Sequence, residues 1–154
     1  MPAVTHHTFT IERTFAFPPS AVFAVFASEE KKRRWYAKDG THEVLSYTLD
    51  FRPGGHEVLV ARMKPGTPIA GAQLTWSHLY ADIVRDERLT SLQTLDVGDS
   101  RISCALITVE LSHTAEGCTL AFTHQAAYAA GADGPALREM GWRALLDAIP
   151  AALS

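Results

Sequence analysis

Between residues 45 and 125 the chain alternates apolar and polar side chains almost without interruption, broken only by turn-forming clusters, and one long amphipathic helix follows. Alternation with period two marks half-buried strands. Strands joined by short turns pair antiparallel, and the single apolar face of their sheet must be covered by the only long helix available. A sheet of this many strands twists and curls. The expected product is one α+β domain, a curved antiparallel sheet of six to seven strands wrapped around a long C-terminal helix. Between them lies space for a small ligand.

The punctuation supports this order. Leu45, Tyr47, Leu49 and Phe51 alternate up to Arg52-Pro53-Gly54-Gly55, where proline and glycine suit the second and third positions of a type II turn. Further strands are expected at 57–64, 72–85, 88–95, 101–113 and 118–125. Ahead of them, Phe9, Ile11, Phe15 and Phe17 share one parity and Thr8, Thr10, Glu12 and Thr14 the other, which marks a first strand. Pro18-Pro19-Ser20 ends it and opens a short helix carrying Val22, Phe23 and Phe26. Ser28 can cap a second short helix in which Glu29/Arg33 and Glu30/Arg34 are spaced to pair, so its basic run reads as a solvated face. The last helix is capped by Asp133 or Gly134, has Pro135 in its first turn and runs for about fifteen residues. Trp142, Leu145, Leu146, Ile149 and Leu153 form its apolar face, with Pro150 disturbing the final turn.

Composition narrows the functional classes. A chain of 154 residues fits one domain, and a net charge of -3 lacks the basic footprint of nucleic-acid or anionic-membrane binding. No basic leader and no run of about 18 apolar residues is present, so no membrane partner and a cytoplasmic location are expected. Cys118 falls opposite His113 if residues 115–117 form a hairpin turn, which separates it from Cys104 by about 30 Å along the strand. Both cysteines then read as small buried apolar residues rather than a disulfide. Among seven histidines only His6 and His7 are adjacent, and strand neighbours point to opposite faces. No metal, no cofactor and no catalytic residue is assigned, because nucleotide, zinc and nucleophile motifs are all missing.

Five segments, in this order, resemble the helix-grip superfamily of START domains, birch-pollen-allergen-like proteins and polyketide cyclases. They are residues 11–35 ending in Trp35, Asp50-Phe51-Arg52-Pro53-Gly54-Gly55, Asp82-Ile83-Val84-Arg85-Asp86-Glu87-Arg88-Leu89, Leu120-Ala121-Phe122-Thr123-His124 and Gly141-Trp142. Within that superfamily the chain is most similar to the activator-of-Hsp90-ATPase-homologue-like branch, over residues 8 to 152. The resemblance implies the helix-grip fold. It implies function only broadly, since members include lipid carriers, antibiotic-sequestering proteins, cyclases and co-chaperone domains. It also implies that the last strand ends in a histidine facing the ligand, here His124.

Parity suggests the lining. His124 shares a side with Cys118, Leu120 and Phe122, and Trp76, His78 and Tyr80 share one with Leu74 and Val84. With Trp35, Tyr47, Tyr128 and Trp142 these form the candidate ligand-binding set. The expected function is non-catalytic binding of a small hydrophobic or aromatic ligand, by a monomer or a homodimer. A cyclase, dehydratase or hydrolase would instead place His124 or His78 within reach of Asp82 or Tyr80. A protein-interaction or chaperone-associated module would expose an apolar patch. Residues 126–134, rich in small side chains, are expected to gate a mouth lying between them and the turn at Pro53–Gly55.

Overall fold

The computed structural model describes residues 3–153. Seven strands form one antiparallel sheet: β1 (Thr5–Phe15), β2 (His42–Leu49), β3 (His56–Met63), β4 (Gln73–Val84), β5 (Arg88–Val97), β6 (Ser100–Thr114) and β7 (Gly117–Tyr128). Their spatial order is β1-β7-β6-β5-β4-β3-β2, so β2 to β7 form a meander and β1 closes beside the last strand. α1 (Pro19–Ala27) and α2 (Glu29–Trp35) bridge from β1 at one edge to β2 at the other. α3 (Pro135–Asp147) and a 3-10 turn (Ile149–Ala152) complete the chain. This is the helix-grip architecture, and the alternation of the strands accounts for it.

Local chemistry sets the element boundaries. Pro19 opens α1, whose Val22, Phe23, Val25 and Phe26 are all buried. Ser28 Oγ accepts from the Lys31 amide at 3.3 Å and caps α2. Gly54 has φ of 82°, as the third position of a type II turn requires, and the Gly55 amide closes that turn on the Arg52 carbonyl at 2.8 Å. α3 takes Gly134 as its N-cap with no side-chain bond, because Asp133 pairs instead with Arg138. Pro150 ends the α-helical hydrogen bonding, and the chain continues as a single 3-10 turn that buries Ile149 and Ala152.

Three details depart from the strand pattern. A bulge between Tyr80 and Asp82 shifts the register against β5, so Ile83, and not Val84, packs against the core, while Asp82 turns outward to pair with Arg88 at 2.8 Å. Cys104 is exposed on the outer face, whereas Cys118 is fully buried opposite His113; both are free. The expected gate is divided. Residues 126–128 belong to β7, paired to β1 and β6, and only 129–134 form a connector. The turn at 52–55 is bonded to Tyr80, whose cross-strand row reaches His124, while Ala129 is bonded to Ile102, five residues further along β7.

Candidate functional site

The concave face of the sheet carries both the apolar core and a group of polar side chains sealed from water. At the end of the sheet beneath α2, Glu57 on β3 is fully buried, and Lys32 on α2 is 5% exposed. Lys32 Nζ donates to Oε1 at 3.1 Å and stands 3.0 Å from Oε2 as an ion pair. The Tyr80 hydroxyl donates to Oε1 at 3.1 Å, and the Tyr47 hydroxyl donates to Oε2. Lys32 also lies over the rings of Tyr36, Trp35 and Phe26, at 4.8, 5.5 and 5.6 Å from their centroids. A buried ion pair is tolerated only when its remaining hydrogen-bonding capacity is met, and here two tyrosines and an aromatic cage meet it.

His78 extends the network along β4 and β5. Its Nε2 faces the Gln93 side-chain nitrogen at 3.1 Å and the Tyr36 hydroxyl at 3.2 Å, and its Nδ1 faces Ser91 Oγ at 3.1 Å. An amide nitrogen can only donate, so Nε2 accepts and Nδ1 carries the proton, which it gives to Ser91. Burial pushes the imidazole pKa down to about 4, against the attraction of Glu57, so His78 is neutral near pH 7. This donor order leaves Ser91 as an acceptor from His78, the reverse of what nucleophile activation requires. Its own O–H remains free to donate into the interior.

The same environment shifts the neighbouring groups. Burial would raise the Glu57 carboxyl, but the charge of Lys32 foremost, with hydrogen bonds from Tyr47 and Lys32, outweighs it and holds Glu57 below the usual carboxylate range. Burial, reinforced by the charge of Glu57, raises Tyr36, Tyr47 and Tyr80. All three hydroxyls therefore stay protonated, and those of Tyr47 and Tyr80 donate to Glu57.

The interior space beside this cluster is small. Phe26, Lys32, Trp35, His78, Tyr80, Leu89, Ser91, Ile107, Val109, Phe122 and Trp142 enclose a cavity of about 10 Å³, the room of one water molecule. The sheet's curvature predicts a larger apolar cavity; instead Trp142 descends from α3 and fills it, packing at a tilt on Phe122 at 4.5 Å and stacking on Tyr36 at 5.9 Å. The wall on the β4–β5 side is polar rather than apolar.

Of the nine candidate residues, Trp35, His78, Tyr80, Phe122 and Trp142 bound this cavity. Tyr47 lies behind it on Glu57, and Trp76 is half-buried against His42 at 5.6 Å, away from the wall. His124 and Tyr128 are buried on the inner face of β7 beyond the wall. His124 stacks on Phe9 at 4.7 Å, yet neither of its nitrogens has a hydrogen-bond partner, and the Tyr128 hydroxyl has none either. Tyr128 lies under Arg138, 5.1 Å from its guanidinium, which is held by Asp133 through bonds of 2.8 and 3.0 Å. Burial foremost, helped by Arg138, pushes His124 down to about 4. Neither histidine is bonded to Asp82, and Tyr80 stacks on the His78 ring at 6.4 Å while giving its hydroxyl proton to Glu57 rather than to the imidazole.

Glu57, Lys32, Tyr36, Ser91 and Gln93 were not singled out from the sequence. The pattern does contain their positions: Glu57 shares parity with Leu59 and Ala61, and Ser91 and Gln93 share parity with Leu89 and Leu95. Lys32 precedes Trp35 and Tyr36 by three and four residues, on the same helical face, so the basic run of α2 is solvated only in part. Glu29 and Glu30 do pair with Arg33 and Arg34 as expected.

The fold has counterparts in solved structures. A protein from Rhizobium leguminosarum is 31% identical and superposes with a TM-score of 0.91, over 99% of this chain and 97% of that one. A protein from Rhizobium loti is 37% identical with a TM-score of 0.83, over 97% and 99%. An Activator of Hsp90 ATPase homolog 1-like protein from Aeromonas hydrophila is 18% identical with a TM-score of 0.69, over 96% and 92%, and shares the fold. No curated protein matches the chain. Residues 16–154 match the model of one family, described as Activator of Hsp90 ATPase homolog 1-like protein, and the chain belongs to that family.

Proposed function

We propose that this protein binds a small, largely aromatic molecule between the sheet and α3, without transforming it. The observation that carries the reading is the placement of Lys32, His78 and Ser91 along one side of a small space beside Trp142, with Glu57 behind Lys32. Polar groups on the wall of an otherwise apolar interior fix a ligand's orientation. The donor order at His78 and Ser91 supports binding over covalent chemistry. Room for the ligand comes from α3, which buries only Arg138, Trp142 and Leu146, so that displacing Trp142 opens the interior without dismantling the sheet.

Outside the interior, Leu79, Leu92 and Leu106 are neighbours across β4, β5 and β6 and are 40–43% exposed. Three partly exposed leucines stay within what ordinary monomers show, so they do not favour an interaction module over the interior site.

Native mass spectrometry of protein purified from its own cells tests the reading, with a retained aromatic molecule as the expected result. Trp142→Ala provides a second measurement. It should bind indole in the vacated space and regain stability on doing so. A ligand-free native protein together with an indole-blind Trp142→Ala variant would refute the proposal.

A further inference from the structure

We infer that the ligand of this interior site carries two neutral polar groups at opposite ends of a flat body, one met by Ser91 and the other by His124. The inference rests on the reading above and deepens it. Tyr80, Ser91, Ile107, His124 and Phe9 are consecutive cross-strand partners on β4, β5, β6, β7 and β1. All five are buried on the inner face. Ser91 and His124 are therefore two strand spacings apart, about 10 Å, with only Ile107 between them.

The cavity spans part of that interval, since Ser91, Ile107 and Phe122 all line it. Above it lies Trp142, stacked on Tyr36 on the Ser91 side and tilted by 37° against Phe122 on the His124 side. The helix thus already places a flat two-ring group where the ligand body would lie.

Each end has an unmet demand. Ser91 accepts from His78 and keeps its own O–H to donate. His124 is fully buried with both nitrogens unpartnered, although leaving a buried nitrogen unpaired is costly. A neutral imidazole has one donor and one acceptor on opposite edges, and a hydroxyl or an amide can meet either one of them. No net charge is called for at either end: Lys32 is neutralised by Glu57, and Arg138, the cation nearest His124, is held by Asp133. A charged end group would have to break one of these pairs.

The test compares biphenyl-4,4'-diol, whose two hydroxyls match the separation, with 4-hydroxybiphenyl by isothermal calorimetry, on the native chain and on His124→Phe. The substitution keeps the stack on Phe9 and removes both unpartnered nitrogens, so the variant should fold. In the native protein the diol should bind about tenfold tighter, the worth of one buried hydrogen bond. His124→Phe should abolish that preference and leave 4-hydroxybiphenyl unchanged. Equal binding of the two phenols to the native protein, as when only a water meets His124, overturns the inference and leaves the interior site standing. A preference that survives His124→Phe also overturns it. If neither phenol binds, the interior site falls and the inference with it.

Discussion

Substituting either member of the Lys32–Glu57 pair should be far more damaging than substituting both. With both partners at most 5% exposed, Lys32→Met leaves a carboxylate in the core and Glu57→Gln leaves an ammonium. Removing one partner of such a pair costs about 3–5 kcal/mol, because the survivor keeps its desolvation penalty and loses its compensation. For a chain of this size that corresponds to roughly 10 °C of Tm. The two losses differ in character. Glu57 without Lys32 keeps the Tyr47 and Tyr80 hydrogen bonds and can relieve itself by taking up a proton, so the cost of Lys32→Met should shrink as the pH is lowered. In Glu57→Gln the amide oxygen can still accept from Lys32, but no negative charge faces the ammonium, which is left with its three rings and can relieve itself only by releasing a proton as the pH is raised. The double variant removes both charges and should lie within about 1–2 kcal/mol of the native protein, a coupling of several kcal/mol. Urea denaturation followed by circular dichroism on all four proteins at pH 7 measures the cycle. Single losses below about 1 kcal/mol, or a double loss equal to their sum within about 0.5 kcal/mol, would refute the reasoning.

Acid should weaken the fold through its buried histidines. His78 and His124 ionise near 4 in the folded chain against 6.5 when exposed, so the unfolded chain binds more protons as pH falls from about 6.5 to 4. Stability present above that window is lost through it, on the order of 3 kcal/mol per histidine, and His124→Phe should remove its share in urea melts at pH 7, 5.5 and 4. A flat profile in the native protein would contradict the burial assigned to both rings. At the turn, Gly55→Ala should cost well over 2 kcal/mol, since a Cβ there would stand 2.1 Å from the Asp50 carbonyl oxygen, with backbone on either side. Gly54→Ala meets open space and only the strain of a positive φ, about 1 kcal/mol, so equal Tm losses for the two would show that the close approach is absent.

The sheet was legible because its strands bury one face, and burying one face writes period two into the sequence. Phe9 and Ile11 on β1, or Leu120, Phe122 and His124 on β7, could be assigned a side from parity alone. Parity failed where backbone geometry interrupts it, as at the Tyr80/Asp82 bulge that exchanges Val84 for Ile83. The site was legible only in its aromatic half. Trp35, Phe122 and Trp142 declare themselves by type, whereas Glu57 and Lys32 are of types that ordinarily mark surface. Their burial depends on a contact 25 residues apart in sequence, which no local pattern reports. The closed interior was equally hidden, because periodicity places Trp142 on the inner face of α3 but does not say how far its ring descends.

The pairing of β1 with β7 joins the first strand made to the last. Roughly 100 residues separate Phe15 from Gly117, so at about 5–20 residues per second β1 spends on the order of 5–20 s outside the ribosome before its partner exists. In that interval the β2–β6 meander can assemble by short-range closures, while β1 must wait for a loop closure spanning most of the chain. During the wait β1 is an unpaired edge, the kind of segment that recruits neighbouring chains. Its outward row of Thr8, Thr10, Glu12 and Thr14 is polar, which makes the solitary strand soluble on at least one side. The rate at which this protein matures should therefore be governed by synthesis of its C-terminal third, and a circular permutant that places β1 directly after β7 should close its sheet sooner.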